Sequence, residues 1–79
     1  MTVMSLLSAA ASEAAFQIEA RRLNDDAAEL AVVRAMLRKH GLSREEAQGL
    51  LDVPMDALGD AYRLLGGLVA LAIGDIAGE

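Results

Sequence analysis

The side chains able to do chemistry in this 79-residue chain fall into a few groups. Asp56 and Asp60 stand four residues apart, a spacing that places two carboxylates on one helix face, where they can hold a divalent cation or receive basic side chains from a partner. The simpler reading is a solvated acidic face. Arg34, Arg38, Lys39, His40 and Arg44 form a basic cluster around one helix end, suited to an acidic partner or a phosphate backbone, and equally to complementing a helix dipole. Asp25 with Asp26 and Glu45 with Glu46 read as caps and first-turn dipole partners. Nucleophilic catalysis needs an activated Ser, Cys or Lys beside a base, and zinc needs several His or Cys ligands. With one His and no Cys, the chain is expected to have no catalytic residues, no metal site and no cofactor.

These groups must be positioned by helices. Leu and Ala dominate a composition that is 54% apolar with a single proline, which favours helix throughout. Val3, Leu7, Ala11, Ala14 and Ile18 recur at helical spacing and predict a first helix from Thr2 to Leu23. Asp26 followed by Glu29 has capping-box spacing and predicts a second helix from Ala27 to Lys39, stopped by Gly41 in the left-handed conformation. Ser43 and Glu46 fit the capping box S-x-x-E and open a third helix from Arg44 to Leu51. Pro54 then begins a fourth, whose stripe of Leu58, Ala61, Leu65, Leu68 and Ala72 carries it toward Ile76. Gly66 beside Gly67 leaves its continuity open, since each glycine costs a helix about 1 kcal/mol.

From Leu64 to Ala77 the only polar side chain is Asp75, so this segment must be covered on most sides. Leu65, Leu68, Ala72 and Ile76 are the expected anchors of a partner or self-association interface. Gly66, Ala70 and Gly74 form a small-residue row along which a second helix can approach closely.

The stretch from Leu42 to Leu64 resembles the helix-turn-helix of bacterial regulators and sigma factors: Leu50, Leu51 and Val53 match the end of its first helix and Leu58 the anchor of its recognition helix. Asp52 stands where that pattern has glycine, and Gln48 where it has a small residue. The resemblance implies DNA contact by the face carrying Pro54, Met55, Asp56, Gly59, Asp60 and Arg63, in which two carboxylates meet phosphate with one arginine to offset them. The same stretch is similar to the helical lead-in of biotin synthase-type radical SAM enzymes, whose cluster cysteines have no counterpart here.

Twelve acidic against seven basic side chains give a net charge of −5, which disfavours nucleic acid and anionic lipid. No run of about 20 apolar residues spans a bilayer, and the first residues lack a basic signal-peptide start, so a cytoplasmic location is expected. The chain thus reads as one all-α domain over residues 1–79, a bundle of about four helices with a helix-turn-helix-like corner. The expected function is non-enzymatic contact with a protein, as a homo-oligomer or an accessory subunit. The alternative is a DNA-binding regulator with backbone contacts from Arg34, Arg38, Lys39 and Arg44. A further reading is attachment to a membrane surface through Leu64 to Ala77.

Overall fold

Thr2 opens the first helix, α1 (Val3–Arg21), by accepting the Ser5 N–H on its hydroxyl at 3.2 Å. The computed structural model describes residues 2–79. Helix α1 ends two residues before Leu23 because Arg22 turns left-handed at φ 53°, ψ 42°. The Arg22 N–H then donates to the Glu19 carbonyl and the Leu23 N–H to that of Ile18. Glycine usually occupies such a cap, so an arginine here holds a less favourable backbone.

Asp25, not Asp26, caps α2 (Asp26–Lys39), its carboxylate accepting the Ala27 N–H at 3.1 Å. Asp26 and Glu29 lie in the first turn and Arg38 and Lys39 in the last, each charge on the favourable end of the dipole. Gly41 follows at φ 91°, which lets the Leu42 N–H fold back onto the Leu37 carbonyl. Helix α3 (Arg44–Leu51) has the predicted capping box: the Glu46 N–H donates to the Ser43 hydroxyl at 3.1 Å, and the Ser43 N–H donates to the Glu46 carboxylate at 3.3 Å.

The expected fourth helix is instead three pieces, so the described residues form five α-helices rather than about four. A 3₁₀ turn over Met55–Leu58 leads into α4 (Gly59–Leu65), and α5 (Leu68–Ala77) leaves at 113° to it. The break falls at Gly66, whose φ of 59° and ψ of −131° lie in a region essentially reserved for glycine. Gly59 has nearly the same angles, φ 57° and ψ −134°, where the 3₁₀ turn meets α4.

Helix α5 is the hub, packing against α2, α3 and α4, while α1 covers α2 and α4. Leu7, Leu37, Ile73, Val33 and Val69 are the largest side chains wholly removed from water. Burying a residue of this size is worth about 1.5–3 kcal/mol. Ala10, Ala11 and Ala14 give α1 a small buried face that lets its neighbours approach closely. The chain is all-α, with no strand among the described residues. No single helix is long and apolar enough to cross a membrane; the bent pair Met55–Leu65 and Leu68–Ala77 reaches that composition only together. Five of the ten residues of α5 are buried, which marks it as a core helix.

Candidate interaction surface

The basic cluster is largely occupied from within. Arg34 reaches Asp75 of α5 at 3.3 Å, and Arg38 pairs with Glu79. Lys39 and His40 share the two oxygens of Glu13, clasping the end of α2 to the middle of α1. The Lys39 hydrogen bond, then that of His40, holds the Glu13 carboxyl below its ordinary value of 4.5. Four of the five basic-cluster side chains are therefore paired within the chain, to three carboxylates, and among the described residues only Arg44 of that cluster lacks such a partner.

Asp56 and Asp60 are exposed, and Asp60 stands 3.8 Å from Arg63 one turn on, a solvated pair that contributes little. No group of three metal-ligating side chains forms among the described residues. Helix α3, the first arm of the helix-turn-helix resemblance, lies against α5.

The residues expected at an interface separate into two sets. Ala72 is 0% and Ile76 3% exposed, so both belong to the core of the chain and neither can meet a partner in this fold. The small-residue row is also broken up: Gly66 sits in the bend, outside α5, while Ala70 borders a cavity of about 20 Å³ with Leu50, Leu51, Met55, Leu58 and Ile73. A Cβ added at Gly74 would meet nothing, so that glycine permits no close approach inside the chain.

Leu65 and Leu68 remain at the surface, half-buried, and the 113° bend places them in a trough that spacing alone did not reveal. One end is lined by Ile18, Glu19, Arg22 and Leu23 of the α1 terminus, Glu29 of α2, and Leu64, Leu65 and Leu68. The other is lined by Asp26, Ala27 and Leu30 of α2 with Gly67, Leu68 and Leu71. Leu68 borders both, so the two depressions lie side by side. Leu64 and Leu71, one on each side of the bend, are 52% and 59% exposed. The doublet Leu64-Leu65 before Gly66-Gly67 was the available sequence signal; in a straight helix Leu64, Leu68 and Leu71 would share one face.

No family model, curated protein or solved structure matches this chain.

Proposed function

We propose that this chain is a non-enzymatic helical interaction protein, an accessory module that acts by protein contact through the α4–α5 trough. The observation that carries the reading is the grouping of exposed and half-buried leucines, Leu64, Leu65, Leu68 and Leu71, on both sides of the bend; Met4, Phe16, Leu51 and Met55 are the other exposed large apolar side chains among the described residues. A monomer of 8.3 kDa is expected to expose about 4,600 Å², and the chain exposes 4691 Å². No half-built core therefore accounts for Leu64 and Leu71. Single exposed leucines are ordinary, but a connected apolar surface is the mark of a contact site.

A matched pair of captures tests this. Wild type and Leu64→Asp/Leu71→Asp are immobilised side by side, and retained proteins are compared by mass spectrometry. A protein held by wild type and released by the variant is the expected result; identical retention on both sets the reading aside. The DNA-binding alternative draws on the Leu42–Leu64 resemblance, with Arg44 as the basic-cluster residue left free to contact phosphate. It is tested by light-scattering mass at low salt with a mixed-sequence duplex. Unchanged mass is expected, and a complex that falls apart as salt rises would make that alternative the leading account.

A further inference from the structure

The rim of the trough is charged, and the charge is unbalanced. Glu19, Asp26 and Glu29 surround the leucines, with Arg22 as the one cation among the lining residues. Among the described residues none of these three carboxylates makes an ion pair, a condition they share with Asp25, Glu45, Glu46, Asp52 and Asp56; what sets them apart is that they gather around exposed leucines. Glu19 is placed against local preference as well. It occupies the last turn of α1, where the helix dipole favours a cation.

We propose that the trough receives the apolar face of an amphipathic helix from another protein, flanked by lysine or arginine that pairs with Glu19, Asp26 and Glu29. This rests on the protein-contact reading and names the partner's chemistry. An apolar floor selects for a helix with a hydrophobic stripe, because the described residues offer no strand edge on which an extended peptide could add. The acidic rim selects the flanks, by attracting a basic partner and repelling an acidic one. A second copy of this chain is the wrong occupant. Two copies meeting here would bring three carboxylates and one arginine from each side, in a chain already at net charge −5.

Two synthetic 18-residue helical peptides with the same leucine stripe, one flanked by lysine and one by glutamate, provide the test. Binding is read by amide shifts of the labelled full chain and by titration calorimetry. The lysine peptide is expected to bind at least about tenfold more tightly, to weaken as salt rises, and to shift amides around Leu64, Leu68 and Leu71. Leu64→Asp/Leu71→Asp should abolish binding, and Glu19→Lys/Glu29→Lys should reverse the preference, both with unchanged circular dichroism. Equal affinity for the two peptides overturns the basic-partner inference and leaves the contact reading standing. Binding of neither overturns the inference, and the contact reading falls only if the paired captures also agree. A dimer in light scattering that Leu64→Asp/Leu71→Asp dissociates overturns it in favour of self-association.

Discussion

The α1–α2 corner and the α4–α5 corner turn the chain back on itself by opposite means. At α1–α2 a polar side chain does the local work, Asp25 capping α2, while the far end of α2 is tied to mid-α1 where Lys39 and His40 grip Glu13. At α4–α5 neither helix has a side-chain cap, the bend relies on Gly66 at positive φ, and the adjoining side chains are leucines. The first corner nevertheless leaves Glu19, Asp26 and Glu29 without ion pairs among the described residues. The second sets exposed leucines beside those carboxylates, whereas the basic cluster, Arg44 apart, is paired within the chain.

If α5 is the element on which the fold depends, the largest effect in the molecule should come from its core face. Ile73→Ala removes a side chain that is 1% exposed and should cost about 2–5 kcal/mol in urea unfolding. At roughly 0.05–0.15 kcal/mol per residue, the whole chain has about 4–12 kcal/mol to lose. A cost below about 1 kcal/mol would mean α5 is loosely held and would break the distinction between a secure core face and an exposed rim.

Glycines on the two sides of the second corner sharpen the comparison further. Gly66→Ala forces a Cβ into a backbone region reserved for glycine and should lower stability by about 1–3 kcal/mol. Gly74→Ala lies inside α5, where the new Cβ meets no atom within 4 Å, and should raise stability by up to about 1 kcal/mol. Thermal melts of the two variants should therefore shift in opposite directions. Shifts of the same sign would show that the bend at Gly66 is not fixed in the way its angles require.

Sequence patterning made one corner legible and hid the other, for a physical reason. Caps are local: Ser43 with Glu46 and the stop at Gly41 specify helix ends within a few residues, and α3 forms over the predicted span. The Asp25–Asp26 choice was ambiguous because either carboxylate can reach a free N–H of the first turn. Apolar periodicity, by contrast, carries the same stripe through Leu58, Leu65 and Ala72 whether or not the chain bends between them. The backbone at Gly66 decides where α5 is sent, and in the bent chain Ala72 and Ile76 lie in the core while Leu64 and Leu71 stay exposed. The clasp on Glu13 was also invisible, since 26 residues separate it from Lys39 and no local spacing pairs them.

The smallest expected effect tests the clasp between mid-α1 and the far end of α2 and is read from pH. Hydrogen bonds from Lys39 and His40 lower the folded-state pKa of Glu13 relative to its ordinary 4.5. A carboxyl depressed on folding contributes stability that is present above its unfolded value and lost as pH falls through its folded value. Glu13→Gln should accordingly melt below wild type at neutral pH, and the gap should close as pH drops below 4.5. Added salt should narrow the gap at neutral pH too, since charges this close to the surface are screened. Parallel melting curves from neutral to acid would mean the Glu13 clasp is idle. Helices α1 and α2 would then be held along their length by apolar contact, and the Asp25 cap would remain as the polar feature that distinguishes their corner from the uncapped α4–α5 bend.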